Sequence, residues 1–491
     1  VQLINVRLHA YSLLPRFSRP AYNRENPNRV NLMSKFTALL EKYSKPGPRY
    51  TSYPTAPYFH TGFTEADWVQ ELQASQDVER GISLYAHIPF CDTLCYYCGC
   101  NMVATNDYSK ADIYLQHLEQ EMTRVAHLTD QRRLVKQLHL GGGTPTYLKP
   151  DDIRRLVAMM RGHFTIAPDV EMGCEADPRE LTREHLVALR ESGFNRLSLG
   201  VQDLDERVQK AVNRVQPEAM IDQVYHWARE LGFESINMDL IVGLPHQNLE
   251  SFAHTLDKTL AWAPDRFAIF AYAHVPWMKK HQKLINESDL PSFATRLDLQ
   301  QLIHDRLGAA GYQNVGMDHY AKPDDEMVKA QQNKTLWRNF QGYTTHKNCD
   351  IYAFGASSIS QTRNVYMQNE KNLKQYQELI AAGHLPVERG LRLTPEDHIR
   401  RDLITRIMCD MELDTEAFGA EWGVNFSEKF ADGLAELPAL EADGLVRLEP
   451  GRVIVTQLGS LFLRNIAMGF DAYLKEAFQA QGQQPRYSRT A

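Results

Sequence analysis

From residue 82 onward the chain alternates short β-rich runs with longer amphipathic segments, and this alternation restricts the possible fold more than any other feature. The runs are ISLYAHIPF (82–90), QLHLGGGTP (137–145), DVEMGCEADP (169–178), RLSLGVQ (196–202), SINMDLIVGLP (235–245) and RFAIFAYAHVP (266–276). Between them, segments such as ADIYLQHLEQEMTRVAHL and PDDIRRLVAMMRGHF carry apolar residues three or four apart, the period of a helix that buries one face. Repeated strand-then-helix units pack as a parallel sheet covered by helices. Most of the runs end in chemically active residues: cysteines, a glycine triplet, Glu175, Gln202, Asp239, and Tyr272 with His274. In barrel-like α/β folds the carboxyl ends of the strands and the loops after them build the site. The pattern therefore predicts an α/β fold with a full or partial (β/α) barrel.

A further strand is expected at NVGMDHYA (314–321), leading into the Gly- and Asn-containing stretch LWRNFQGYTTHKNCDIYAFGASSIS. After about residue 385 the alternation stops. EDHIRRDLITRIM opens a helical tail, within which LEADGLVRLEPGRVIVTQLGSLFLRNI reads as a helix with a hairpin. The expected organisation is an extension at 1–32, an N-terminal segment over the barrel mouth at 33–80, the catalytic barrel at 81–385 and a mainly helical C-terminal domain at 386–491. The extension carries Arg7, Arg16, Arg19, Arg24 and Arg29 against the single acid Glu25. It reads either as a transit peptide or, preferably, as translated upstream sequence before a native start at Met33.

With 43% apolar and 23% charged residues, 491 residues can bury a large core and imply two or three domains. A formal charge of −7 provides no basic field for nucleic acid. No apolar run is long enough for a spanning helix. Seven cysteines, odd in number and clustered, do not form a disulfide framework and point to the reducing cytoplasm.

Four of those cysteines lie in CDTLCYYCGC. Cys91, Cys95 and Cys98 give a C-x3-C-x2-C spacing, and Cys100 follows. Thiolates suit iron–sulfur clusters or zinc, but structural zinc sites use a second ligand pair downstream. Here Cys174, Cys349 and Cys409 stand alone and read as small buried apolar residues. Three close thiolates can hold three irons of a [4Fe–4S] cube and leave the fourth iron open for chemistry. Spacing alone leaves a second possibility, that Cys100 is the fourth ligand and closes the cube.

The cysteine loop directly after a first strand, followed by GGGTP at the end of a second, resembles the radical S-adenosylmethionine enzymes. PRYTSYPT (48–55), YAHIPFCDTLCYYCGCN, HLGGGTPTYL, SLGVQ, DLIVGLP and RNFQGYTT, in that order, are similar to the oxygen-independent coproporphyrinogen III oxidases within that group. The resemblance runs from about residue 33 to the C-terminus. It implies a partial barrel of the radical S-adenosylmethionine type, with Cys91, Cys95 and Cys98 on the cube and Cys100 not a ligand.

The resemblance further implies two molecules of S-adenosylmethionine. Tyr85, Gly142, Glu175 and Ile359 would contact the one on the cluster, and Tyr97, Gly143, Thr144, Gln202, Arg214, Asp239 and Ala273 the second. Tyr97 stands where the family is expected to have Phe. The implied reaction is oxidative decarboxylation of two propionates of coproporphyrinogen III to vinyl groups, giving protoporphyrinogen IX. It draws on a low-potential donor such as flavodoxin or ferredoxin, and the family is expected to be monomeric. Arg49, His87, His274, Lys279 and Arg338 are the basic candidates for the substrate's carboxylates. The alternatives are a haem-carrying relative without oxidase activity, a haem-degrading radical methyltransferase-like enzyme and a structural zinc protein. The GC after the third cysteine and the PRYTSYPT segment speak against the first two.

Overall fold

Twelve strands form one sheet in the computed structural model, which describes residues 38–347, 349–479 and 487. In chain order they are β1 (Gly81–Ile88), β2 (Val135–Gly142), β3 (Ile166–Ala176), β4 (Arg196–Gln202), β5 (Ser235–Val242), β6 (Arg266–Ala271), β7 (Gln313–Gly316), β8 (His319–Ala321), β9 (Cys349–Phe354), β10 (Ile359–Gln361), β11 (Val365–Asn369) and β12 (Val387–Arg392). The spatial order is β12-β11-β10-β9-β1-β2-β3-β4-β5-β6-β8-β7. Strands β1 to β6 run parallel in sequence order, and β9 adds in parallel beside β1. The remaining pairs are antiparallel. The edges β12 and β7 are not neighbours, so the sheet is a partial barrel with an open side.

Alternation along the strands sorts the two faces. In β5, Ile236, Met238, Leu240 and Val242 are at most 2% exposed and join the core, whereas Asn237, Asp239 and Ile241 point the other way and stay partly accessible. In β1, Leu84, Ala86 and Ile88 are fully buried, with Tyr85 and His87 on the opposite face. The helices Ser109–His127, Pro150–His163, Arg183–Ser192, Glu218–Glu230 and Leu249–Trp262 supply the crossovers, and their apolar sides complete the core on the outer face. The polar residues are left on the inner face.

Three elements differ from the sequence pattern. NVGMDHYA is not one strand but the hairpin β7–β8, because Gly316 (φ +151) and Met317 (φ +45) reverse the chain. The stretch after it hides a small hairpin, Trp337–Asn339 with Gly342–Thr344, and also β9. Strand β9 is buried at every position, so it shows no alternation, and its Asp350 is neutralised by Arg133 at 2.6 Å and Arg80 at 2.7 Å. The last strand, β12, still belongs to the main sheet beyond residue 385. Helix Pro395–Asp410 then begins at a capping box between Thr394 and Asp397. The expected helix and hairpin follow as Ala431–Ala442, Val446–Glu449 and Arg452–Val455.

Residues 38–43 are helical, in a unit that ends at Ser44, and the described residues from Lys45 onward form one compact unit. The expected extension 1–32 and residues 33–37 lie outside the described residues. The segment from 47 to 60 runs along the open side of the barrel. At one edge Arg49 is ion-paired with Asp318, in the β7–β8 turn. At the other edge His60 pairs with Gly390 of β12. From outside, C-terminal residues hold it: Arg464 donates to Pro48 O at 2.9 Å, Tyr50 Oη donates to Asp471 at 2.9 Å, and Tyr58 Oη donates to Tyr473 O at 3.0 Å.

Candidate active site

The cysteine loop leaves β1 through a two-residue strand, Phe90–Cys91, paired in parallel with Val103–Ala104. Val103 N donates to Pro89 O at 2.7 Å and Thr105 N to Cys91 O at 2.9 Å, which staples the base of the loop. Side chains from other elements then pin its carbonyls. Asn213 Nδ2 donates to Leu94 O (2.9 Å), Gln282 Nε2 to Tyr97 O (3.0 Å), His281 Nε2 to Cys98 O (2.7 Å) and Lys279 Nζ to Cys100 O (2.8 Å). A loop with little secondary structure of its own is thereby given one shape.

All seven cysteines are free thiols; Cys91 and Cys95 are buried, Cys98 is half-buried and Cys100 is exposed. Burial pushes the Cys91 thiol up to about 12, partly offset by Thr144 Oγ1 at 3.2 Å. Cys98 is lowered to about 6, first by its hydrogen bond from Cys100. Arg179 Nη2 and Arg214 Nη1 point at Cys95 Sγ from 3.4 and 3.5 Å, so two cations stand ready to stabilise a thiolate. Among the described residues no three His, Cys, Asp or Glu side chains converge as they would on a single ion. The thiolates of a cube each bind a different iron and do not converge on one point.

Beside the loop, the inner face carries a row of polar residues in register: His87 opposite Gly141, then Glu175, Ser198 and Asn237. Glu175 accepts from Gly142 N at 3.2 Å and lies 3.4 Å from His139 Nε2. Enclosure works against its charge, but His139 and the Gly142 N–H outweigh this and hold the carboxyl below its usual range. The Tyr85 ring stacks on His139 with centroids 6.1 Å apart. His87 Nε2 donates to Asn101 O at 2.9 Å, which leaves Nδ1 to accept from Tyr85 Oη at 3.2 Å. One row further, Asp239 has neutral hydrogen-bond partners among the described residues, Ser198 Oγ at 2.9 Å and Asn237 Nδ2 at 2.7 Å. Burial, then the charge of Glu175, raises it to about 6.

Gly142 has φ +120, and a Cβ there would lie 2.7 Å from His87 Nδ1 and 3.0 Å from Ile88 O. A Cβ on Gly143 would lie 2.9 Å from the Pro89 and Phe90 backbone. The triplet is thus needed for the close approach of β2 to the end of β1. Gly142→Ala is expected to lower stability by about 1–3 kcal/mol, read as an earlier denaturant midpoint; an unchanged midpoint would contradict this.

Tyr85, Gly142 and Glu175 lie together: Gly142 N bonds Glu175, and the Tyr85 and Glu175 side chains both border Gly141. Ile359 is two strands from Tyr85, since Ala353 is the partner of Tyr85 and β10 pairs with β9. Thr144 is against Cys91, and Tyr97 packs against the apolar cluster of Val208, Val212, Leu244 and Ile285. Gln202 ends β4 with φ +63. Arg214, only 6% exposed, is ion-paired with Asp177 at 2.8 Å and donates to Gly200 O at 2.6 Å. Ala273 lies exposed beyond β6. The sequence reading missed His139, Asp177 and Arg179. His139 shares strand parity with Gly141, and Asp177 stands two residues after Glu175, so alternation alone would have placed both on the inner face.

A family model described as the Radical SAM superfamily matches residues 85–259, and one described as the HemN C-terminal domain matches residues 393–462. The chain is 47% identical over 444 residues to the oxygen-independent coproporphyrinogen III oxidase of Salmonella typhimurium, covering 90% of this chain and 96% of that one. It belongs to the oxygen-independent coproporphyrinogen III oxidases. The corresponding oxidase of Pseudomonas aeruginosa is 44% identical over 438 residues, covering 89% of this chain and 95% of the relative. The solved coproporphyrinogen III oxidase (HemN) of Escherichia coli, a radical SAM enzyme, superposes with a TM-score of 0.85 at 45% identity, covering 89% of this chain and 98% of that one. Like other members of the radical SAM superfamily, this oxidase works with a [4Fe–4S] cluster and S-adenosylmethionine. Among the described residues no helix is long and apolar enough to cross a membrane.

Proposed function

We propose that this chain converts coproporphyrinogen III to protoporphyrinogen IX without oxygen, by oxidative decarboxylation of two propionates to vinyl groups. The observation that carries the reading is the loop of three unpaired thiols beside Glu175 and the glycine triplet, in a chain of this family. The haem-carrier alternative has no such support, because the full-length relatives are oxidases.

Cys91, Cys95 and Cys98 hold the cluster, and Cys100 does not. When bound there, the cluster and S-adenosylmethionine supply the one-electron, hydrogen-abstracting chemistry that the propionate β-carbon requires. The chain's own residues bind, orient and enclose. Glu175 accepts the ammonium group of the first S-adenosylmethionine, a charge-assisted contact, and the backbone at Gly142 comes close because no side chain intervenes. Tyr85 and Ile359 flank the same molecule. A second S-adenosylmethionine is held by Tyr97, Gly143, Thr144, Gln202, Arg214, Asp239 and Ala273. Asp239, a carboxylate without a cation partner among the described residues, suits its ribose hydroxyls or ammonium. The electron comes from a low-potential flavodoxin or ferredoxin, and the protein acts as a cytoplasmic monomer.

The substrate's carboxylates meet the open side of the barrel. Arg338, 7% exposed, makes no ion pair among the described residues, and its Nη1 has no hydrogen-bond partner. It lies 4.6 Å above the Tyr343 ring and donates from Nε to Arg49 O at 3.3 Å. His319, edge-on to the same ring at 5.3 Å, and Ser52, which shares a cavity with Arg338, each also have an unpartnered polar atom. A buried guanidinium without an anion is costly, and a propionate carboxylate removes that cost. Arg49 is already paired with Asp318, and His87, His274 and Lys279 each already hold a hydrogen bond, so none of them is as free as Arg338 to meet a carboxylate.

Arg338→Gln is therefore expected to raise KM for coproporphyrinogen III about 10- to 100-fold, the worth of one or two charged hydrogen bonds, with kcat changed far less. Steady-state kinetics under anaerobic conditions check this, and an unchanged KM would remove Arg338 from the substrate site. The overall reading is tested by supplying the cluster-loaded protein with reductant, S-adenosylmethionine and coproporphyrinogen III, and measuring protoporphyrin by fluorescence after oxidation.

A further inference from the structure

Among the described residues seven large apolar side chains are prominently exposed: Val78, Ile113, Leu134, Val215, Trp277, Met278 and Leu284. Four of them sit on the two segments that pin the cysteine loop. Trp277, Met278 and Leu284 are 59%, 63% and 60% exposed, in the segment whose Lys279, His281 and Gln282 bond the carbonyls of Cys100, Cys98 and Tyr97. Val215, 47% exposed, follows Asn213, which bonds Leu94 O of the same loop.

The segment VPWMKKHQKLIN (275–286) is also basic. It carries Lys279, Lys280, His281 and Lys283 and no acid, in a chain of net charge −7. Lys280 and Lys283 are exposed, and neither makes an ion pair among the described residues. The loop presents Gly99 and Cys100 to solvent, and Cys100 N donates to half-buried Cys98 Sγ at 3.4 Å. Of the three thiols proposed as ligands, Cys98 is the least buried, and it lies on this side of the loop, next to exposed Cys100.

We propose that the surface formed by Trp277, Met278, Lys280, Lys283 and Leu284 is the docking face for a small acidic protein that delivers single electrons to the cluster. This rests on the oxidase reading and adds to it the place and chemistry of the partner. Exposed apolar side chains interleaved with Lys280 and Lys283 match a partner whose own redox centre lies in an apolar rim surrounded by carboxylates. With an anionic flavin hydroquinone as donor, one electron passes to the oxidised cluster and a neutral semiquinone remains, so no proton has to cross the interface. The substrate is served elsewhere: Tyr85, Glu175 and Asp239 face into the barrel, whereas these side chains project from it.

The test uses the cluster-loaded protein and a recombinant bacterial flavodoxin. Its dissociation constant for the wild type, for a K280E/K283E double variant and for W277S is measured by biolayer interferometry over a series of salt concentrations. Stopped-flow absorbance follows cluster reduction by the flavodoxin hydroquinone. The double variant is expected to bind about tenfold more weakly at low salt and to lose most of the salt dependence, and W277S to bind more weakly at all salt concentrations. Dithionite-driven deoxyadenosine formation should be unchanged in both, which reports separately on the oxidase reading. Flavodoxin affinity equal to wild type in both variants would overturn the proposal. So would an unchanged affinity accompanied by a raised KM for coproporphyrinogen III, which would give this face to the substrate.

Discussion

Cys95→Ala is expected to leave the protein folded but without a stable cluster, with deoxyadenosine formation below about one-thousandth of wild type, because the cofactor performs the hard chemistry. Of the three thiols proposed as cluster ligands, Cys95 is the one approached by both guanidiniums, at 3.4 and 3.5 Å. Its loss removes a proposed ligand and leaves Arg179 and Arg214 facing an apolar methyl group. The loop itself should persist, since its shape depends on Asn213, His281, Gln282 and Lys279 bonding its carbonyls and not on the thiols. Iron and sulfide content after anaerobic reconstitution, with the visible absorbance band, reads the cluster; circular dichroism reads the fold. Full iron content in this variant would assign the third ligand elsewhere, and Cys100 would be the residue to examine.

The second large effect is expected at a residue outside the recognised motifs. Asp177 is 5% exposed and lies between Arg214 at 2.8 Å and Arg179 at 2.7 Å. Burial opposes its charge, yet the two guanidiniums hold the carboxyl below its usual range. Asp177→Ala leaves two largely buried cations without their anion, and breaking such a pair costs about 3–5 kcal/mol. It also frees Arg214 from one of the contacts that aim it at Cys95 and Gly200. Denaturant unfolding of the cluster-free protein measures the stability loss without interference from cofactor binding. A loss under about 1 kcal/mol would mean that water already reaches this triad.

Much of the barrel was legible because the parallel strands obey alternation. SINMDLIV places four apolar residues outward and Asn237, Asp239 and Ile241 inward, and the glycine triplet marks where β2 approaches β1 too closely for side chains. What stayed hidden has physical reasons. Strand β9 is buried on both faces, so CDIYAF carries no period, and its Asp350 reads as a surface residue until Arg133 and Arg80 are seen around it. The β7–β8 hairpin turns on Met317 at φ +45, a conformation its residue type does not advertise.

The site was partly legible in the same way. The cysteine spacing, Glu175 at the end of β3 and Asp239 on the inward parity of β5 can be read directly. Arg214 could be named from its motif, but its burial against Asp177 depends on the separation between β3 and the loop after β4, which no local pattern encodes. The pinning of the cysteine loop by Gln282, His281 and Lys279, some 180 residues later in the chain, is likewise visible only in three dimensions: these side chains bond Tyr97, Cys98 and Cys100 across sequence separations of 185, 183 and 179.

The most direct measurement is a count of products from one anaerobic reaction of the reconstituted protein with coproporphyrinogen III, S-adenosylmethionine and reductant. Protoporphyrin is read by fluorescence after oxidation, and 5′-deoxyadenosine by chromatography. Two propionates each losing one hydrogen atom predict about two deoxyadenosines per protoporphyrin, with both products absent in Cys95→Ala. Deoxyadenosine without any decarboxylated porphyrin would contradict the assigned substrate, and haem bound stoichiometrically with neither product formed would contradict the oxidase itself.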